Sequence, residues 1–198
     1  MKTMRGIATC VVAALASGCV ATPNLVDENM AGIAPTQASA ILIVVDGKIF
    51  DSPSFGSEGR AYLAGLGEGI RHTLAGVPTQ LVELDVMKFA DPIPPALKAL
   101  HPSHMIRLFT ASDLRRNDTP VSATWQMVVS DVTIAPVPAT GEKPAGTRYT
   151  FKPIYKARAD GDTCVDSDSL ARKCGAAMGK TLGDALRAAH VVQIGAGT

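Results

Sequence analysis

The run AILIVVD at residues 40–46 is the stretch that most restricts how this chain can fold. Its apolar residues are consecutive and mostly β-branched, which favours an extended backbone and leaves the strand without a polar face. Such a strand fits the interior of a sheet, covered on two sides or by a helix on one. We therefore predict a central strand here, with the rest of the domain arranged around it.

The residues that follow predict a strand-helix-strand unit. Ser57 can cap the start of a helix, and Gly76 can end it. Between them an apolar stripe recurs at helical spacing, formed by Tyr62, Leu63, Leu66, Ile70 and Leu74. A second strand is expected at residues 79–85, after a connection long enough for a right-handed parallel crossover. A short helix around residues 94–100 and a third strand at 104–110 complete the first half.

The first helix is rich in glycine, which costs about 1 kcal/mol per residue relative to alanine. Its glycines are Gly59, Gly65, Gly67 and Gly69. We expect the helix to regain that free energy by packing closely on the sheet.

The second half alternates with the period of a strand. Odd positions in residues 121–129 are apolar, with the single tryptophan, Trp125, among them. The apolar phase shifts after Ser130, which predicts a bulge near Ser130 and Asp131. Residues 136–146 are rich in proline and glycine and predict a hairpin turn to a second long strand at 148–158. Pro153 predicts that this second strand lies at an edge, or that its missing donor points away from a partner.

The strand at residues 148–158 has one aromatic and one basic face. The expected inner face carries Tyr149, Phe151, Tyr155 and Ala157. The expected outer face is a basic row formed by Arg148, Lys152, Lys156 and Arg158. The row can serve as a docking face for an anionic partner, or it can be the ordinary solvent face of an edge strand, where cations discourage aggregation.

A carboxy-terminal helix is predicted from about Ser167 to Ala189. Together these elements predict a single α+β domain, with a mixed sheet of about five strands and helices packed on one side. Its first half is strand-helix-strand, followed by a long antiparallel hairpin and the final helix. We place this domain at residues 39–192 and a tail at 193–198.

The amino terminus reads as an export signal. Lys2 and Arg5 precede an apolar run at residues 6–15 that is too short to cross a bilayer as a stable helix. The stretch LASGC that ends at Cys19 resembles the bacterial lipobox, although the family more often has leucine where Ala16 stands. The alternative is an ordinary signal, or an apolar amino-terminal helix, with an incidental cysteine.

The lipobox resemblance implies a bacterial lipoprotein. Cleavage would remove residues 1–18. The thiol of Cys19 would carry diacylglycerol, and its amino group would carry an acyl chain, typically palmitate. Residues 19–38 would then be the lipidated amino terminus and a tether, because 20–37 holds two prolines and no sustained period. Val20 rather than aspartate follows the cysteine, which in this family points to the outer membrane, with the domain facing the periplasm.

The cysteine count agrees with an oxidising compartment. Cys10 lies in the signal and Cys19 in the lipobox, so Cys164 and Cys174 remain as an even pair. We predict a disulfide between them. The alternative is that Cys174 is a small buried apolar residue and Cys164 a free thiol in a loop.

We find no sequence motif for catalysis, a cofactor or a metal. A formal net charge of +1 gives no reason to expect a nucleic-acid partner. The spacing of His101 and His104 suits a metal on a helix, but Pro102 between them favours a surface or capping role. The acidic stretch at residues 160–168 lacks the closing glutamate of a calcium loop, which favours a solvated turn and an acidic helix start.

Two function classes therefore remain. The lipobox and the order of elements resemble small envelope lipoproteins, which implies a membrane-anchored, non-catalytic binding or auxiliary subunit of an envelope transport or assembly complex, with an envelope protein as partner. The alternative is a lipid-anchored periplasmic enzyme whose site has no recognisable motif.

Overall fold

A computed structural model of the chain describes residues 20–30, 35–50, 56–84, 91–141, 144–190 and 192–193. Their elements, in chain order, are β1 (Asn24–Met30), β2 (Thr36–Gln37), β3 (Ile41–Asp46), a 3-10 turn (Lys48–Phe50), α1 (Gly56–Thr73), β4 (Thr79–Leu84), α2 (Ile93–Leu100), β5 (His104–Arg116), β6 (Thr119–Val137), β7 (Gly146–Asp162), α3 (Asp168–Ala188) and β8 (Val192–Gln193).

The main sheet has six strands in the order β1-β7-β6-β5-β3-β4. β3 is parallel to both β4 and β5, whereas the pairs from β5 to β6, β7 and β1 are antiparallel. The separate pair of β2 and β8 is parallel. The predicted α+β domain with a mixed sheet is confirmed, with one strand more than the sequence indicated.

The central strand β3 is apolar on both faces, as predicted, because it separates two cores. Ile41, Ile43 and Val45 are fully buried in the main core beneath α1 and α3. Leu42 and Val44 point the other way, into a second core that α2 covers. The expectation that all helices lie on one side was therefore wrong for α2, because the second row of β3 side chains needs its own cover.

Helices α1 and α3 meet along glycines at four-residue spacing. Gly65 and Gly69 of α1 lie against the α3 backbone, and Gly175 and Gly179 of α3 lie against the α1 backbone. A methyl group added at Gly179 would clash with the Leu66 carbonyl. The apolar stripe of α1 packs on the sheet as expected, and Gly65 and Gly69, whose role the sequence did not predict, bring α1 and α3 together.

The amino-terminal segment is part of the domain, so the expected tether over residues 20–37 was wrong wherever the structure describes it. Val20 packs against the main core, and Pro23 is buried. β1 pairs antiparallel with β7, and the Tyr155 hydroxyl donates to the Glu28 carboxylate at 2.6 Å. The β1 sequence does not alternate in polarity, and the strand forms because it pairs with β7.

The long hairpin of β6 and β7 is confirmed, with pairs running from Ser122 and Asp162 to Val137 and Gly146. A register shift lies at the predicted position, since Val129 pairs with Tyr155 but Ser130 pairs with Pro153. The extra residue is Ile154, so the bulge is in β7 rather than in β6.

Strand β7 is not an edge strand, because β1 lies beyond it. The registered pairs with β1 end at Tyr155, two residues short of Pro153. The alternative prediction, that the missing donor of Pro153 points away from a partner, therefore fits the described residues, because Pro153 lies outside the pairs with β1.

The helix boundaries follow local signals with one exception. Ser167 caps α3 by accepting a hydrogen bond from the Leu170 N–H at 3.3 Å. Gly76 has a φ of +97°, the left-handed conformation expected after α1. Ser57 does not lie before the helix as predicted, because α1 already includes Gly56.

Candidate functional site

The predicted disulfide between Cys164 and Cys174 is present, with the Cα atoms 6.2 Å apart. Cys164 lies in the turn after β7 at a φ of +51°, and Cys174 is buried on the inner face of α3. The bond therefore ties the end of the longest strand pair to the first turns of α3. The alternative of a free Cys164 thiol was wrong.

The predicted basic row is divided between the two faces of the sheet. Cross-strand pairs share a face, and the bulge at Ile154 reverses the alternation of β7. Lys156 pairs with Val128 and Arg158 with Gln126, on the face of the second core. Arg148 and Lys152 precede the bulge and lie on the opposite face, although all four side chains are exposed. The four cations therefore do not form the one continuous basic face that the sequence predicted.

A different basic surface forms on the face of the second core. Arg107 of β5, Val128 of β6 and Lys156 of β7 are directly paired across the sheet. Arg107, Lys156 and Arg158 are exposed, and Arg158 donates to Gln126 Oε1 at 3.3 Å. We call these three cations the basic sheet face. It lies on the sheet beyond the area that α2 covers.

The structure also shows a buried polar cluster that the sequence did not predict. His104 is 1% exposed, so the surface role expected for it was wrong. Its Nε2 lies 2.7 Å from Thr36 Oγ1 and 3.2 Å from Asp131 Oδ1. Its Nδ1 lies 2.9 Å from Ser103 Oγ. His101, by contrast, is exposed and ends α2 in the left-handed conformation, which confirms its capping role.

Burial lowers the pKa of His104, against a smaller opposing effect of Asp131, so the ring is neutral at pH 7. One consistent set of hydrogen bonds has Ser103 donating to Nδ1 and Nε2 donating to Thr36. The Thr36 hydroxyl then donates to Asp131 Oδ1 at 3.0 Å. This chain of bonds connects β2, β5 and β6 through their side chains.

The cluster has the residue types of a hydrolytic triad but a different arrangement. In a triad the carboxylate and the nucleophile occupy different nitrogens of the imidazole, and the nucleophile faces the substrate. Here Thr36 and Asp131 share Nε2. Ser103 Oγ, at Nδ1, also lies 3.2 Å from the Ala40 carbonyl oxygen and accepts from the Ser39 N–H. The bonds hold strands together, which indicates a structural role.

A cleft of about 300 Å³ lies at the carboxyl end of β3, where ligands often bind in sheets with parallel strands. Asp46 and Lys48 line one wall, and Asp113 and Arg115 line the other. Arg115 donates to Asp113 at 2.5 Å and to the Ile49 carbonyl at 3.3 Å. Its guanidinium is thus engaged by the protein itself. Thr110 also lines the cleft, with a buried hydroxyl.

A second, larger groove of about 500 Å³ lies between the amino-terminal segment and α3. Val20, Thr22 and Pro23 form one side. The other side consists of Lys173, Ala176, Ala177, Lys180, Thr181 and Asp184 of α3. The walls are largely apolar, because alanines and lysine methylenes lie between the charged ends. Lys180 forms an ion pair with Asp184.

The remaining expectations concern the anchor, metals and acidic residues. Cys19 lies outside the described residues, directly before Val20. Within the described part of the chain, no helix is long and apolar enough to span a bilayer, and no group of three metal-ligating side chains is found. In the acidic stretch, Asp160 accepts from Thr124 at 2.6 Å, and Asp168 lies in the first turn of α3.

Comparisons with known proteins do not assign a family. No protein-family model matches the sequence, and no curated protein matches it. Among solved structures, a PelC dodecamer from Paraburkholderia phytofirmans is similar over 81% of this chain and 97% of that chain, with 6% identity and a TM-score of 0.41. A variant PelC dodecamer from the same organism covers 80% and 96%, with 10% identity and a TM-score of 0.38. No functional assignment follows from likeness at this level.

Proposed function

We propose that this chain is a lipid-anchored lipoprotein of the bacterial cell envelope that acts as a non-catalytic binding or auxiliary subunit of an envelope complex. The observation that carries the proposal is the Cys164–Cys174 disulfide. Such bonds persist in oxidising compartments, including the bacterial periplasm. It agrees with the export signal and the lipobox-like stretch that ends at Cys19. The anchor membrane in this proposal is the outer membrane.

The basic sheet face supports the binding role. Arg107, Lys156 and Arg158 are exposed on strands of a rigid sheet, and the neighbouring strand positions are held by ladder hydrogen bonds. Cations on such a scaffold suit an acidic protein surface, because their charges are complementary to it and little backbone freedom remains to be lost on binding. The partner in this proposal is an envelope protein that presents carboxylates to this face.

The anchor is tested by the mass and processing of the protein made in its own host. Wild-type protein should lack residues 1–18, carry the mass of the lipid and partition into detergent. Cys19→Ala should accumulate as the uncleaved precursor, because the peptidase of lipoproteins acts before an acylated cysteine. Soluble, unlipidated wild-type protein cut at another position would overturn the anchor.

The binding role is tested by purifying the tagged lipoprotein from solubilised envelopes after crosslinking. Lys156→Glu combined with Arg158→Glu should lose the partner, because both cations are on the basic sheet face. Arg148→Glu combined with Lys152→Glu is a matched control, with the same charge change on the same strand but the opposite face. Equal partner recovery from both variants would contradict the proposed face.

The anchored enzyme is the second candidate, and the cleft beside Asp46 is the observation that favours it. Asp46→Asn should leave both lipidation and the crosslinked complex intact if the chain is an auxiliary subunit. A defect of a strain lacking the protein that the wild type restores and Asp46→Asn does not, with anchor and complex unchanged, would favour the enzyme.

A further inference from the structure

The groove beside α3 begins where the proposed lipid anchor ends. Val20 is half-buried and packs against the main core, and Pro23 is buried against the same side of the domain. Cα atoms of successive residues are about 3.8 Å apart. Val20 lines the groove beside α3. A lipid on the cysteine bonded to Val20 is therefore attached one residue before the folded domain, without a flexible spacer between the membrane and that domain.

The charges on this side of α3 suit a lipid surface. Lys173 and Lys180 are both exposed on the α3 side of the groove, two helical turns apart. Lys180 has Asp184 as a partner, and Arg172, the neighbour of Lys173, is engaged by Glu68 of α1. Long basic side chains with apolar stems can lie along apolar surface and extend their ammonium groups towards phosphates.

We propose that this face of α3, with Val20 and the groove, is seated on the phospholipid headgroups of the membrane that holds the lipid at Cys19. Lys173 contacts the lipid phosphates, Lys180 extends towards them from its ion pair with Asp184, and the alanine-lined α3 side of the groove lies over the headgroup layer. The inference rests on the lipid anchor of the proposed function and adds an orientation to it.

The seating fixes which way the rest of the domain points. α3 lies on the main-core face of the sheet, so its outer side and the second face of the sheet point in opposite directions. With α3 on the membrane, α2 and the basic sheet face are directed away from the bilayer. A soluble or membrane-embedded partner that projects into the compartment could then reach Lys156.

Lysine reactivity on vesicles tests the seating. Lipidated mature protein, purified from its host, is added to preformed vesicles of phosphatidylcholine with one third phosphatidylglycerol. A membrane-impermeant acetylating reagent is then applied, and the modified lysines are quantified by mass spectrometry. Lys173 and Lys180 should react about fivefold more slowly on vesicles than in solubilised protein, in line with the attraction of one lysine to an anionic surface. Lys156 should react equally in both.

A spacer variant is the matched control. An insert of about twelve residues, a valine followed by glycines and serines, is placed between Cys19 and Val20. It keeps a valine after the lipidation site but separates that site by about 20 Å from the domain. Slow modification of Lys173 should become faster in this variant, because the domain is no longer held at the surface.

Three outcomes would contradict either the seating of α3 on the membrane or the lipid anchor on which it rests. Lipid-bearing, vesicle-bound protein in which Lys173 reacts as fast as in solubilised protein would overturn the seating and leave the anchor standing. Slow modification that depends on protein density and survives the spacer would assign this face of α3 to a second copy, and would also overturn the seating. Protein without a lipid mass would overturn the anchor itself.

Discussion

The ring of Tyr62 in α1 stacks on the indole of Trp125 in β6, with ring centroids 5.8 Å apart and an interplanar angle of 21°. Both side chains are fully buried. This contact joins the strand-helix-strand half of the domain to the long antiparallel strands, because α1 belongs to the first and β6 to the second. The centre of the main core is therefore an aromatic pair.

Trp125→Ala should lower the free energy of unfolding by about 3–5 kcal/mol, the usual cost of truncating a buried aromatic residue. That is a large fraction of the stability of a domain of this size. Thermal or urea unfolding measures the loss. Wild-type tryptophan fluorescence should also be blue-shifted relative to free tryptophan, and a variant of unchanged stability would show that the residue is not central to the core.

Tyr62→Phe is the matched control, because it keeps the stacked ring and removes only the hydroxyl. That hydroxyl is buried without a hydrogen-bond acceptor among the described residues, and burial raises the pKa of the phenol so that it stays protonated. Removing an unsatisfied polar group should leave stability unchanged or raise it by about 1 kcal/mol. A large loss would show that the hydroxyl is bonded in the folded protein.

Gly179→Ala should destabilise the domain by about 1–3 kcal/mol, although alanine is the better helix former. The added methyl group would meet the backbone of Leu66, and neither helix can move away without losing core contacts. Gly56→Ala is the control, since nothing lies near the added carbon there. Equal stability of the two variants, measured by chemical denaturation, would mean that the helices are further apart than described.

Reduction of the Cys164–Cys174 disulfide should cost somewhat less than 3 kcal/mol, because the bond closes a short loop of about ten residues in the unfolded chain. The measurement is the urea midpoint with and without reductant. The double variant Cys164→Ser with Cys174→Ala should have the lower midpoint already and should not respond to reductant. A wild-type midpoint that is insensitive to verified reduction would contradict the stabilising role.

Acidification should destabilise the protein through His104. Its pKa is lowered in the folded state, so between that value and the unfolded value of about 6.5 the unfolded chain binds the additional proton. The contribution is complete above about pH 6.5 and declines as the pH falls below it. His104→Gln should therefore be less stable at pH 7.5 but lose less stability between pH 7.5 and 5.5, as measured by urea unfolding at each pH.

Local patterns predicted the parts of the fold that local physics determines. The apolar run of β3, the stripe of α1 and the alternation of β6 each depend on neighbours within a few residues, and all three elements are present. The disulfide could also be predicted, because the expected oxidising compartment and the even number of cysteines left after Cys10 and Cys19 allow a single pairing.

Distant contacts account for what the sequence did not predict. β1 forms because it pairs with β7, and the polarity pattern of residues 24–30 does not indicate that pairing. His104 is buried because Thr36 and Asp131, 68 and 27 residues away, provide its polar partners. The basic row was divided by a single extra residue, Ile154, whose position depends on the register of two strands. A glycine spacing of four in α3 was the available sign that two helices would touch.

The pairing of β1 with β7 also makes the first part of the chain one of the last to fold. Met30 and its partner Tyr155 are 125 residues apart, so a chain that is exported unfolded, as we propose, cannot pair β1 until β7 has also crossed the membrane. β2 waits longer, since Thr36 pairs with Val192. Throughout this interval the emerging chain carries strands with unpaired backbone groups, which can pair with another copy or with a chaperone. The strands that cross the membrane first are thus among the last to pair.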